Sequence, residues 1–275
     1  MAGGVPGDIW VETPAARLHA RVAGREDGPW LTCLHSLATD LHLWDRQAEP
    51  LGKQFRLLLV DMRGHGGSTT YSDRFSIGEL RDDVMAIWDR LHIAQSNVLG
   101  LSIGGMIALA LGLAAPGRVP GIVAADCRAD APPAFRDLWT ERQRLVVAGG
   151  MQAVVDDTLA SWLTPATLER QPAAVQAVTR MITATSREGY LGTTRALQRL
   201  SLLPSLEDME VPVLYLVGAK DGVHPQAMSA MQARTPGSSL RVLPGAAHLS
   251  NIEQPARFNA ATGAFLRGES VPEVP

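Results

Sequence analysis

The chain has 275 residues, 46% of them apolar, and a formal net charge of −3. That length suits one large α/β domain, or one domain carrying an insertion, with enough apolar residues to bury a sizeable core. The small net charge gives no electrostatic reason to expect nucleic acid or an anionic membrane surface as a partner.

Other global signals are plain. Cys33 and Cys127 each sit in an apolar run without metal-ligand spacing, so they read as reduced core residues rather than a disulfide. Residues 1–7 carry no basic stretch followed by an apolar core, so no signal peptide is visible and a cytoplasmic protein is expected. Nothing in the sequence sets an oligomeric state.

In chain order, residues 9–13 and 17–23 read as an opening hairpin around Pro14. Residues 30–35 form the first apolar run suited to a central strand, entered from Gly28-Pro29 and left through His35-Ser36-Leu37-Ala38-Thr39-Asp40. A second strand, 55–60, closes on Asp61-Met62-Arg63-Gly64-His65-Gly66-Gly67-Ser68. That turn has the glycine content of a phosphate loop but neither G-x-G-x-x-G nor Gly-Lys-Ser/Thr, and is expected to be structural. Ser76 with Glu79 three residues on predicts a capped helix whose apolar face is Leu80, Val84, Ile87, Trp88 and Leu91.

Residues 96–116 then read as strand, sharp turn and helix, stopped by Pro116-Gly117. At the corner stands Gly100-Leu101-Ser102-Ile103-Gly104, the G-x-S-x-G pattern that presents a serine on a strained turn. Such a turn aims the N–H of Ile103 and the positive end of the following helix at charge developing beside Ser102. The pattern is weak alone in a chain with 26 glycines. Residues 98–115 are also nearly continuous in apolar character, at the lower edge of membrane-spanning length, although the glycines, the serine and Pro116 favour a buried core helix.

Residues 119–125 predict another strand, ending at Asp126. From 128 to 208 no convincing strand is visible, only helical runs broken by prolines, which reads as a helical cap (128–208) inserted into a core formed by 1–127 and 209–275. The cap's arginines read mostly as a solvated face. Arg128, two residues past a strand end, and Trp139 are the candidates for contact with substrate. The acidic pairs Asp82-Asp83 and Asp156-Asp157 read as surface charge on helices.

Alternation resumes with a strand at 213–217, followed by Asp221. His224 is expected to cap or precede a helix near 225–233. A strand at 240–243, His248 in the loop behind it, a helix at 255–266 and a frayed tail from 268 complete the chain. The order Ser102, Asp221, His248, each at a strand end, is that of a nucleophile, acid and base on an α/β sheet. Asp126 is the rival acid. His35 and His65 precede the nucleophile and are expected to stabilise turns.

These residues resemble the α/β-hydrolases over about 10–267, and more closely the 3-oxoadipate enol-lactonases of bacterial aromatic catabolism. The likeness rests on His35-Ser36-Leu37-Ala38-Thr39-Asp40 with Trp44, on Asp61-x-Arg63-Gly64-His65-Gly66, on Gly100 to Met106, and above all on Ala246-Ala247-His248-Leu249-Ser250-Asn251-Ile252-Glu253-Gln254-Pro255. The resemblance implies an α/β-hydrolase fold with a mostly parallel sheet, flanking helices and an inserted helical cap. It also implies a Ser102, His248, Asp221 triad, an oxyanion hole from Ile103 and Leu37, and a small-molecule lactone or ester as substrate; acyl transfer on such a triad requires no cofactor, and the acidic pairs do not resemble a metal site. The closer likeness to the lactonases weakens over 128–208, the segment that shapes substrate choice. Other reactions on the same triad stay open, namely those of a carboxylesterase, a carbon–carbon bond hydrolase or an acyltransferase, as does a non-catalytic ligand receptor.

Overall fold

The structure, a computed structural model, describes residues 7–272. The expected absence of a leader at the first residues, and the end of the tail, therefore lie outside the described residues. Eight strands form one sheet: β1 (Gly7–Glu12), β2 (Arg17–Gly24), β3 (Trp30–Leu34), β4 (Arg56–Val60), β5 (Asn97–Leu101), β6 (Ile122–Ala125), β7 (Val213–Gly218) and β8 (Ser239–Leu243). Their order across the sheet is β1-β2-β4-β3-β5-β6-β7-β8. The β1–β2 and β2–β4 pairs are antiparallel and all later pairs parallel. Central strands of a sheet covered on both faces need apolar residues at successive positions, and every residue of β5, β6 and β7 is buried. The order reverses beside β3, so the carboxyl ends of β3, β5, β6 and β7 open on one edge, the place where such sheets bind ligands.

The helix after Ser76 runs Ile77–Arg90 and begins with a full capping box between Ser76 and Glu79. One expectation fails there. Asp82 is exposed, but Asp83 is buried and takes both Nε and Nη2 of Arg63, the latter at 2.9 Å. It faces the sheet rather than solvent because it lies three and four residues from Leu80 and Ile87, on the apolar side of the helix. The turn Asp61 to Ser68 is structural. Asp61 accepts from the N–H groups of Leu41 (2.7 Å) and Gly67 (2.8 Å), and His19 Nδ1 lies 2.7 Å from it. His35 donates through Nδ1 to Ser36 O (2.7 Å) and His65 through Nδ1 to Arg63 O (2.8 Å). Burial pushes the His65 imidazole down to about 3, so it stays neutral. The run at 98–115 is divided into β5 and the helix Ile103–Ala114, and among the described residues no helix is long and apolar enough to cross a membrane. The tail expected to fray is held at least to Val271, whose carbonyl accepts from Arg241 (3.3 Å).

Between β6 and β7 the chain forms five α-helices, and its two ends are joined by an antiparallel bridge between Asp130 and Ser201. Among the bonds that tie this helical segment to the rest, three groups involve Gly64 and the stretch around His248. Ser186 donates its N–H (3.0 Å) and hydroxyl (2.9 Å) to Gly64 O, beside a backbone approach so close that a Cβ on Gly64 would stand 2.3 Å from the Gly189 Cα. Leu249 donates its N–H to Trp162 O at 3.1 Å. The Glu253 carboxylate accepts from the N–H and hydroxyl of Thr164 (2.9 and 2.7 Å) with one oxygen and from the N–H of Ala247 (2.6 Å) with the other.

Candidate active site

Ser102 sits between the end of β5 and the first residue of the helix Ile103–Ala114, with φ 56° and ψ −118°. A non-glycine residue held there carries strain on the order of 1–3 kcal/mol, and persists only where its surroundings force it. The flanking glycines supply that force. A Cβ on Gly100 would stand 2.1 Å from Gly104 O, and one on Gly104 would stand 2.0 Å from Leu34 O, so strand and helix can meet this tightly only with hydrogen at both positions. The Ser102 N–H stays in the sheet, bonded to Ala125 O at 2.8 Å. Ile103 opens the helix, where N–H groups have no intrahelical acceptor. The N–H of Leu37, in the loop after β3, likewise has no acceptor among the described residues. Ala38 (φ 54°), in the loop after β3, and Asp126 (φ 46°), just past β6, share the positive φ of Ser102, so three of the four such non-glycine residues among those described lie along this sheet edge, His92 being the fourth.

Asp221 follows β7 and His248 follows β8. His248 Nδ1 lies 2.9 Å from Asp221 Oδ2 and 3.1 Å from Oδ1, both side chains being buried. Burial works to raise the Asp221 pKa, but His248 and His224 beside it outweigh burial and hold the carboxyl well below the ordinary range. His224 begins the helix His224–Arg234, as its position suggested, but it does more than precede it. Its N–H closes a turn onto Asp221 O at 2.9 Å, which brings its Nδ1 to 3.2 Å from Asp221 Oδ1. Asp126 is bonded elsewhere than to His248. One of its oxygens accepts the Gly218 N–H at 2.7 Å and the other the Ser250 hydroxyl. Fully buried, and next to the charge of Asp221, it is raised well above the ordinary carboxyl value. It spans the two loops that carry Asp221 and His248.

Ser102, Asp221, His224 and His248 line a cavity of about 260 Å³ together with Leu37, and the helical segment covers it. The helix Pro133–Gly149 contributes Phe135, Leu138, Trp139 and Arg142, spaced i, i+3, i+4, i+7 along one face. Trp139 packs edge-on against Phe135, with ring centroids 5.6 Å apart. Arg128 also lines the cavity, but its charge is committed: Nε and Nη2 reach Asp130 Oδ1 (3.2 and 2.8 Å), and the guanidinium lies over Phe135. Arg142 was placed with the solvated arginines, and the structure corrects this. It lines the cavity, bonds Val154 O (3.2 Å) and Thr158 Oγ1 (2.8 Å), and has no carboxylate partner among the described residues. The signal in the sequence was the apolar stripe Phe135, Leu138, Trp139, on which Arg142 is the next position.

The alpha/beta hydrolase fold family matches residues 29–255. Among curated proteins, 3-oxoadipate enol-lactonase 2 of Acinetobacter baylyi is 32% identical over 245 residues, spanning 89% of this chain and 91% of that protein. Among solved structures, a hydrolase from Pseudomonas aeruginosa PA01 superposes with a TM-score of 0.90 at 34% identity, covering 94% of this chain and 98% of the other. The enol-lactonase from Burkholderia xenovorans LB400 does so with a TM-score of 0.90 at 30% identity, covering 94% and 100%. Family match, relatives and sheet order agree along nearly the whole chain, which is thus a member of the alpha/beta hydrolase fold family.

Proposed function

We propose that the protein is a serine hydrolase that cleaves a small lactone or carboxylic ester through Ser102, His248 and Asp221, with residues 128–208 acting as a cap over the site. The observation that carries this reading is the buried His248–Asp221 pair opening on the same small cavity as a serine held at positive φ. His248 Nε2 takes the Ser102 proton as the hydroxyl attacks the carbonyl carbon. Asp221 keeps the other proton on Nδ1 and stabilises the imidazolium as it forms. The N–H groups of Ile103 and Leu37 receive the oxyanion. Collapse opens the lactone ring, His248 returns its proton to the leaving oxygen, and the chain remains esterified to Ser102. Water activated by the same imidazole then frees the acid.

The cavity suits a small substrate in volume. Two relatives are enol-lactonases by name, and Arg142 offers what a carboxylate-bearing lactone requires, because a carboxylate entering an apolar pocket must trade its water for a cation. Arg142, rather than Arg128 with its Asp130 partner, is therefore the cation we assign to a substrate carboxylate. A fluorophosphonate probe tests the core of this reading: one adduct per chain is expected on Ser102, and Ser102→Ala is expected to lose both the adduct and nearly all turnover. An adduct on a different serine would refute it.

A further inference from the structure

We infer that Asp221, His224 and His248 form a zinc-binding site, and that zinc held there switches the hydrolase off. The three side chains converge with one ligand atom each, all within 4.8 Å of one another. Two imidazoles and a carboxylate are a recurrent three-residue zinc set that leaves a fourth position open to water. All three residues line the cavity, so an ion and its water have a route in.

The distances favour the ion. Zinc bonds to imidazole nitrogen and carboxylate oxygen are about 2.0–2.1 Å, which sets neighbouring ligand atoms about 3.3–3.4 Å apart around a tetrahedron. The Asp221 carboxylate already stands 2.9–3.1 Å from His248 Nδ1 and 3.2 Å from His224 Nδ1. Two edges of the tetrahedron thus need only a few tenths of an ångström, and the third, between the two imidazole nitrogens, has to close from within 4.8 Å. The two imidazole rings are 5.1 Å apart and tilted by 45°, so they do not stack face to face. The turn that bonds the His224 N–H to Asp221 O anchors the third ligand.

Inhibition follows from proton placement and rests on the triad reading above. When zinc takes the Nδ1 of a neutral His248, the proton that was on Nδ1 moves to Nε2. The imidazole then offers a donor to Ser102 and has no lone pair with which to take its proton. Coordination also removes the carboxylate's charge from the imidazolium.

Binding is tested on the untagged full-length chain carrying Ser102→Ala, freed of metal with a chelator, by calorimetric titration with zinc chloride and by the visible ligand-field bands of added cobalt(II). One ion per chain with micromolar affinity and a tetrahedral cobalt spectrum is expected. His224→Ala, and His224→Phe, which keeps a ring against His248, are each expected to weaken binding by about a hundredfold or more, with thermal melts confirming the fold. In the Ser102 enzyme, zinc is expected to abolish ester hydrolysis, a chelator to restore it, and the inhibitory concentration to rise by the same factor in the His224 variants, each measured against its own metal-free rate. No stoichiometric binding, or equal affinity in the His224 variants, would overturn the site. Stoichiometric binding without loss of hydrolysis would overturn the switch. If the probe failed to label Ser102 the triad reading would fall, while the titration would still decide the zinc site.

Discussion

Asp221→Asn separates the charge of the acid from its shape. The amide fills the same volume and can still accept the His248 Nδ1 proton, but it carries no charge to set against the imidazolium. At 2.9 Å, with an effective dielectric of about 20 for a buried site, the lost attraction is about 5.7 kcal/mol, or about four powers of ten in rate. A loss of about ten-thousandfold is also that measured for the same substitution in the protease triad. Asp126→Asn is the matched control. It sits one strand away, is as deeply buried, and bonds the Gly218 N–H and Ser250 rather than an imidazole. Its amide can accept from the first and donate to the second, so a loss of less than about tenfold is expected. The assay is kcat/KM on a chromogenic phenyl ester, with melting curves for both variants. If Asp126→Asn caused the larger loss, or if Asp221→Asn kept activity within about tenfold, the assignment of the acid would be wrong.

Arg142→Ala should slow hydrolysis of a carboxylate-bearing lactone by about ten- to a hundredfold, the worth of one charge-assisted hydrogen bond at roughly 1.5–3 kcal/mol, and hardly touch a neutral ester. Arg128→Ala, which releases Asp130 and Phe135, should slow both alike; the ratio of the two rates in each variant decides between them. Asp126 should also leave a mark on stability. Its pKa is higher in the folded chain than in the unfolded one, so above about pH 4 the unfolded chain releases a proton that the native chain keeps, and stability falls as pH rises toward the folded pKa. Asp126→Asn removes that term. Its melting temperature should therefore gain on the parent between pH 4.5 and pH 7.5, and an equal gap at the two pH values would show Asp126 to be ionised.

What the sequence revealed and what it hid divide along a physical line. G-x-S-x-G is legible because it is a local steric demand: Gly100 and Gly104 touch backbone within a few residues of Ser102 or on the adjoining strand end. Strands β5, β6 and β7 are legible because burial on both faces leaves only apolar residues. The segment 246–255, on which the family likeness most depends, proves to be a set of long-range bonds: Asn251 reaches Leu43 O (2.8 Å) and Gln47 (3.0 Å), and Glu253 reaches Thr164. Its specificity was visible, its reason was not. Asp83 could not be told from Asp82 by residue type, since only the facing Arg63 distinguishes them. Arg142 was misread for the same cause, and His224, which does begin a helix, was read only in part. What each does is set by a partner that folding brings to it, a neighbouring helix in one case and a tight turn in the other.

The Glu253 carboxylate has a consequence for anyone who would exchange the specificity of this enzyme by exchanging its helices. Thr164 holds one oxygen and Ala247, the residue before His248, holds the other. The helical segment is therefore no removable cassette. A transplanted segment without a hydroxyl at the position of Thr164 would strip one of two donors from an oxygen of a buried carboxylate, at a cost of about 1–3 kcal/mol, and would loosen the loop that carries the imidazole. Chimeras that keep Thr164 with its flanking Trp162 carbonyl should turn over substrate, whereas those cut between the two should bind it and turn over slowly. Recombination along this chain is thus constrained at the seam between recognition and chemistry.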